Sequence, residues 1–316
     1  MLLRFFILAL FWLLLAPGAA FAQSCNFSIT NINFGSLNLG LGGTPPTSGT
    51  FSANCTGKPS AVITICPNLG EGTGGTANGS PRFMTFGTSS VPYGLYQPNG
   101  QVWGSYVWPY PPRPPILSLA LDGSGNGTLS QIIDAAITGT AATSLPGTYS
   151  SVYSSGHTLI DYGYAPGQSC TVQSARAARP AFTVSAINAA SCNISATTMS
   201  FGILAGLSSE QTASNQIGIT CTRGVKYAVG LSLGTNAGSS ALARYMANPG
   251  SAQKIQYGIY QNSAKSLPWG NSLGIDTQAG TGTGLTQNLS AFGVIPIQPT
   301  PSSGTYSDVV VVTVNY

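Results

Sequence analysis

The chain has 316 residues, 43% of them hydrophobic and only 6% charged, with 11 basic against 7 acidic side chains and a formal charge of +4. An average soluble domain carries about 25% charged residues, so this composition excludes both a solvated disordered chain and a bundle of helices with charged faces. Lys and Arg form no cluster, so neither nucleic acid nor an anionic membrane is an expected partner.

Residues 1–22 read as a secretory signal peptide. Arg4 is followed by a twelve-residue apolar run from Phe5 to Ala16, a Pro17-Gly18 break and the small-x-small pattern Ala20-Phe21-Ala22. A membrane anchor would need about 20 apolar residues. The exported chain is expected to start at Gln23 and to carry ten basic and seven acidic residues. Its expected destination is an oxidising compartment outside the cytoplasm.

Short β-branched and aromatic runs follow, separated by Gly, Pro and Asn turns. They are ITNINF from Ile29, AVITI from Ala61, ILSLAL from Ile116, KYAVGLSL from Lys226, IQYGIY from Ile255 and VVVVTVNY from Val309. This pattern predicts an all-β fold of packed antiparallel sheets.

The chain repeats itself. CNFSITNINFGSL from Cys25 matches CNISATTMSFGIL from Cys192, and each is followed by a second Cys, Cys55 or Cys221. RFM at Arg82 matches RYM at Arg244, YGLYQ at Tyr93 matches YGIYQ at Tyr257, and Trp103-Gly104 matches Trp269-Gly270. PGTYSSV at Pro146 matches SGTYSDV near the C-terminus. Two tandem copies of one β-sandwich account for this, with domains at 23–179 and 191–316 joined by 180–190. The repeat pairs Cys25 with Cys55 and Cys192 with Cys221, leaving Cys66 for Cys170 unless those two are free.

The opening C-N-[FI]-S, the F-G pair, the second Cys-Thr, Y-G-[LI]-Y-Q and the closing G-T-Y-S-[SD]-V resemble the spore coat protein U domain family. The two-copy arrangement is similar to Csu-type tip adhesins of archaic chaperone-usher pili. The resemblance implies immunoglobulin-like, pilin-type sandwiches, the C-terminal one lacking a strand. It also implies a periplasmic chaperone, an outer-membrane usher and a neighbouring subunit as partners, with the missing strand supplied by addition. The same resemblance implies a route through the periplasm to the cell surface.

Only Gln23 and Ser24 would precede Cys25, too few for a donor strand, which places the chain at a fibre end. PAFTVSAINAA, from Pro180 to Ala190, alternates Phe182, Val184 and Ala186 with polar residues. It reads either as a strand completing the first domain within the chain or as an interdomain linker. At the C-terminus Val310, Val312, Val314 and Tyr316 share one face, expected to border the open groove where a chaperone would pair.

VWGSYVWPYPPRPP, from Val102, stands out for its aromatics and prolines. Trp103 lies 26 residues before Leu129 and Trp269 only 16 before Leu285, so the first copy carries about ten extra residues on these landmarks. A proline-stiffened loop at the end of a sandwich suits a surface-binding finger made of Trp103, Tyr106, Val107, Trp108, Pro109 and Tyr110. LNLGLGGTPP from Leu37 and ITGTAATSLP from Ile137 are weaker candidates. The targets weighed are hydrophobic abiotic or host surfaces, glycans, or a structural role against the second domain.

No enzyme is expected. The single histidine, His157, lies in a Gly/Ser turn, so no Ser-His-Asp or Cys-His set can be assembled. DGSGNGT at Asp122 lacks the acidic ligands of a calcium loop, with Ile133 where the twelfth-position Glu belongs, and it reads as a turn. Neither metal nor cofactor is expected.

Overall fold

The computed structural model describes residues 22–37, 45–139, 144–165, 170–171, 176–236 and 239–316. Residues 1–21 of the signal-peptide segment lie outside these, as do 38–44 and 140–143 of the two weaker finger candidates.

The first repeat contributes β1 (Ser24–Ile29), β2 (Ile32–Leu37), β3 (Thr47–Thr56), β4 (Val62–Leu69), β5 (Arg82–Phe86) and β6 (Ser89–Tyr96). It continues with β7 (Leu117–Ala120), β8 (Asn126–Ile137), β9 (Gly147–Tyr153), β10 (Thr158–Tyr164), β11 (Ala177–Ala178) and β12 (Phe182–Asn188). The second repeat contributes β13 (Cys192–Ala196), β14 (Gln211–Cys221), β15 (Lys226–Leu231), β16 (Arg244–Ala247), β17 (Lys254–Tyr260), β18 (Gln278–Thr281), β19 (Gln287–Ile295) and β20 (Val312–Asn315). None of the described residues is helical.

In the first repeat an eight-stranded sheet, β1-β3-β8-β6-β5-β9-β12-β2, packs on a four-stranded sheet, β11-β10-β4-β7. In the second, five strands, β13-β14-β19-β17-β16, face three, β18-β15-β20. Each repeat has its own apolar core, the first around Phe51, Ile63 and Leu95, the second around Ile219, Val229 and Ile259. The period-2 alternation of the strands directs these side chains inward.

Each repeat begins with a cross-strand disulfide that locks its first strand pair. Cys25 sits opposite Cys55 on β1 and β3, and Cys192 opposite Cys221 on β13 and β14. The third bridge, Cys66–Cys170, ties β4 to the segment after β10.

A buried arginine braces both sandwiches. Arg82 donates from Nε to the Gly70 carbonyl (2.8 Å) and from Nη2 to the carbonyls of Leu69 (2.8 Å) and Trp103 (2.6 Å). Arg244 donates likewise to Ser232 (2.8 Å), Leu231 (3.1 Å) and Trp269 (2.7 Å). Trp103 and Trp269, both fully buried, donate their indole N–H to Pro67 and Val229 carbonyls at 2.8 Å. Backbone carbonyls turned inward thus satisfy a cation that would otherwise be costly to bury.

Strand register corrects the sequence estimate of a ten-residue insertion. Leu129 lies opposite Ala53, and its counterpart opposite Ile219 is Gln287, not Leu285. Trp103 is 14 residues before Leu117 and Trp269 is 11 before the matching Gly280. Leu117 is then 12 residues before Leu129, against 7 from Gly280 to Gln287. Most of the surplus is in the β7–β8 hairpin, and the aromatic loop exceeds its counterpart by three residues. In that hairpin Asp122 Oδ1 accepts from the N–H groups of Ser124 (2.8 Å) and Asn126 (2.9 Å), the chemistry of a turn.

Candidate functional site

The segment from Phe182 to Asn188 is a strand of the first sandwich. β12 runs antiparallel to β9 over seven register pairs, from Phe182↔Tyr153 to Asn188↔Gly147, and parallel to β2 on its other edge. Phe182, Val184 and Ala186 are 3%, 0% and 1% exposed, and Phe182 stacks on Tyr153 with ring centroids 4.3 Å apart. At the far end Asn188 Nδ2 donates to the carbonyls of Ser144 (3.1 Å) and Leu145 (3.0 Å). Only Ala189, Ala190 and Ser191 separate β12 from β13. Ser144 and Leu145, from the third finger candidate, therefore sit at the interdomain junction.

Among the described residues the second repeat has no strand in the equivalent place. Met199, Phe201 and Leu204 correspond to Ile32, Phe34 and Leu37 of β2, and Gly202 keeps the positive φ (75°) of Gly35 (72°). Yet residues 197–204 make no strand, and residues 304–310, which correspond to β9, have one isolated β-bridge, from Ser307 to Ala247, in place of a strand ladder. Between them lies a groove of about 910 Å³, lined by Met199, Phe201, Leu204, Ile255, Tyr306 and Val310 among others. Ile32, Phe34 and Leu37 are at most 5% exposed, whereas their three counterparts are only half-buried. Tyr149 and Tyr153 are fully buried beside β12, while Tyr306 and Val310 are half-buried.

Of the C-terminal face, Val310 and Val312 line the groove and Val314 packs on the second core through β20, opposite Val229. Tyr316 departs from the expectation. It lies beyond the end of β20 and is 62% exposed.

The aromatic loop also differs from its sequence reading. Trp103 is fully buried as part of the Arg82 brace, and Trp108 is 8% exposed, so neither is a surface-binding residue. The Trp108 ring covers the Arg82 guanidinium at 4.8 Å, beside an Nη1 that has no hydrogen-bond partner among the described residues. In the second repeat the matching Arg244 Nη1 donates to Ala241. Asn68 Oδ1 takes the Tyr106 N–H at 2.9 Å, and Arg113 Nη1 lies 3.4 Å from the Trp108 carbonyl inside the loop. Gly104 is obligatory, since a Cβ there would stand 1.9 Å from the Pro112 carbonyl oxygen. With these roots fixed, Val107 (48%) and Pro109 are exposed and Tyr106 and Tyr110 are half-buried, which reduces the outward face to the loop apex. The shorter counterpart loop also presents apolar residues, Leu273 (66%) and Ile275 (86%).

A cleft of about 870 Å³ beside the loop is lined by the prolines at 98, 112, 114 and 115 and by Val102, Ile116 and Leu117, together with Gln97, Asn99, Gln101, Arg113 and Gln131. No group of three or more His, Cys, Asp or Glu that could hold a metal occurs among the described residues. Among the described residues no helix is long and apolar enough to cross a membrane.

The Spore Coat Protein U domain model matches residues 11–153 and 178–313. The chain belongs to the Spore Coat Protein U domain family. The second match opens at residue 178, ahead of β12, so β12 is by sequence the leading segment of the second module and by structure a strand of the first. Protein U of Myxococcus xanthus is 33% identical over 82 residues, 25% of this chain and 45% of that protein, so the alignment spans less than half of its relative. Among solved structures, the fold is similar to the CsuC–CsuE chaperone–tip adhesion subunit pre-assembly complex from archaic chaperone-usher Csu pili of Acinetobacter baumannii. That match has a TM-score of 0.54 and 15% identity and covers 93% of this chain and 100% of that one. The CupB6 tip adhesin of Pseudomonas aeruginosa aligns over 93% of this chain and 95% of its own, at 12% identity and a TM-score of 0.39.

Sequence reasoning missed the Arg82 and Arg244 braces, although RFM and RYM carried the signal. It also misjudged Trp103, whose match to Trp269 was itself a sign of a core position.

Proposed function

We propose that the chain is the tip adhesin of an archaic chaperone-usher pilus. The observation that carries this reading is the groove of the second repeat, lying where β12 lies in the first. A periplasmic chaperone strand would occupy it first, and the donor strand of the next subunit would replace it at the outer-membrane usher. Backbone pairing along residues 304–310 and alternate apolar side chains entering the groove supply the affinity. β12 closes the first repeat from within the chain, so that domain needs no donor and ends the fibre.

Attachment falls to the apex of the aromatic loop, Val107, Pro109 and Tyr110 with the half-buried Tyr106, acting on hydrophobic abiotic or host surfaces and supporting biofilm formation. Each apolar contact is small, and many pili add them as avidity. Trp108 acts indirectly by fixing the apex to the core. The four amide side chains at one cleft, Gln97, Asn99, Gln101 and Gln131 among its prolines, favour a second reading, a glycan-binding tip; a purely structural pilus or coat subunit is a third.

The test of the groove is to fill it. A second copy of residues 180–190 joined after Tyr316 through a flexible linker should close the second repeat and keep the folded protein out of pili. Normal incorporation of that chain overturns the reading. Loss of attachment to polystyrene by Val107→Ser/Tyr110→Ser pili, with pilus number unchanged, supports the adhesive apex. A glycan array probed with the whole chain tests the second reading.

A further inference from the structure

We propose that Asp308 is a positioning residue for strand uptake, holding the open edge of the second repeat in strand geometry before any strand arrives. This rests on reading the groove as a strand acceptor and adds how its edge is kept ready.

The two repeats differ here by one informative exchange. In the first, Ser151 stands at this position, and the adjoining loop grips the strand by its backbone. Thr73 N–H donates to the Val152 carbonyl (3.0 Å), and Val152 N–H donates to Thr73 Oγ1 (2.9 Å). In the second repeat the residues corresponding to Ser151 and Thr73 are Asp308 and Thr235. Both Thr235 donors now go to the carboxylate: N–H at 2.9 Å and Oγ1 at 3.1 Å to Oδ1. Oδ1 also accepts from Asn236 Nδ2 (3.0 Å) and from Val309 N–H (2.9 Å), and Oδ2 accepts from the Tyr257 hydroxyl (2.6 Å). Asn236 Nδ2 additionally reaches the Ser307 carbonyl at 3.0 Å.

Gly234 makes the approach possible. Its φ is +82°, and a Cβ would stand 1.9 Å from Asp308 Oδ2. One anion thereby gathers five donors from the strand itself, the loop at 234–236 and β17. Charge-assisted bonds of this kind are the stronger class.

The clamp grips the edge turned away from the groove, where the Thr73 loop grips β9 in the first repeat, and so it leaves the pairing groups on the groove side free. Ser307 exchanges both backbone bonds with Ala247 (3.0 and 2.9 Å), so by strand alternation the N–H groups of Tyr306 and Asp308 point the other way, into the groove. An edge already extended and in register loses less conformational freedom when a strand adds. In the first repeat β12 is always present, and Ser151 suffices.

The experiment uses the full chain from residue 23 and a fluorescent synthetic peptide of residues 180–190 as the strand. Wild type should take up the peptide, and Asp308→Ser, which installs the first repeat's own residue, should slow uptake by about tenfold or more. Hydrogen exchange separates positioning from general loss of structure. In the variant the amides of Thr235 and Val309 should exchange faster while those of β14 and β19 keep their protection. If Asp308→Ser does not fold, Asp308→Asn keeps the shape and loses the charge, and its uptake should also slow. Equal uptake rates for wild type and a folded variant overturn the role of Asp308. Failure of wild type to bind the peptide overturns the strand-acceptor reading, and the role of Asp308 with it.

Discussion

The two repeats share a disulfide-locked first strand pair, an arginine brace and a buried tryptophan, and their main difference centres on the place of β12. The first has β12 between β9 and β2; the second has a groove between residues 197–204 and 304–310. The consequence is visible in burial, since Ile32 and Phe34 are covered where Met199 and Phe201 are half-open. The same sequence motif therefore yields a paired strand or an unpaired segment according to whether a neighbour is present. Strand formation at these two edges is decided by tertiary pairing more than by local propensity.

The comparison breaks most severely if β12 is removed. Phe182→Asp with Val184→Asp places two carboxylates in the first core, with an expected cost of about 6 kcal/mol or more, enough to unfold a typical domain. Tyrosine near-ultraviolet dichroism should show loss of the first repeat, while protease protection of the second survives. The converse change, supplying residues 180–190 after Tyr316, should raise the unfolding midpoint of the second repeat by roughly 10 °C in calorimetry.

A smaller effect separates anchor from apex in the aromatic loop. Trp108→Ala should lower the denaturation free energy of the first repeat by about 3 kcal/mol through lost packing and an uncovered Arg82. Val107→Ser/Tyr110→Ser should leave that free energy within about 0.5 kcal/mol of wild type, as changes at the outer face of a loop do.

The smallest effect concerns pH and should be common to both repeats. Burial, followed by the proximity of Tyr93, pushes the Tyr153 hydroxyl well above its ordinary pKa of 10.0. In the second repeat burial, then the hydrogen bond to Asp308, raises Tyr257. The folded state favours the neutral phenol, so this stability is fully present below the unfolded pKa and is lost as pH rises beyond it. Unfolding midpoints should fall from about pH 10 upward, and Tyr153→Phe should flatten that fall in the first repeat alone.

Much of this was legible in the sequence because the chain carries its own alignment. The repeat carried the two-copy organisation and two of the three cysteine pairs, with Cys66 and Cys170 left to pair or stay free, and the alternation of Phe182, Val184 and Ala186 left a strand and a linker both open. Exposure within the aromatic loop was not legible. Trp103 and Trp108 are drawn inward by Arg82, a contact between residues more than twenty positions apart that no local pattern encodes. The estimate of the insertion failed because Leu285 precedes the register position by two residues and five of the remaining eight surplus residues lie in the β7–β8 hairpin, which only strand pairing reveals. The clamp at Asp308 was hidden for the same reason, since it joins residues 234–236 and 257 to a strand some fifty to seventy positions away.

The central claim is that one repeat is closed by its own chain and the other awaits a strand. Amide hydrogen exchange of the full exported chain measures this directly at matched positions. The N–H groups of Tyr149, Ser151 and Tyr153 should exchange only with global unfolding of the first repeat. Those of Tyr306, Asp308 and Val310 should exchange far faster and become protected when the peptide of residues 180–190 is added. Equal protection of the two sets in the chain alone, or no change on adding the peptide, would contradict the account.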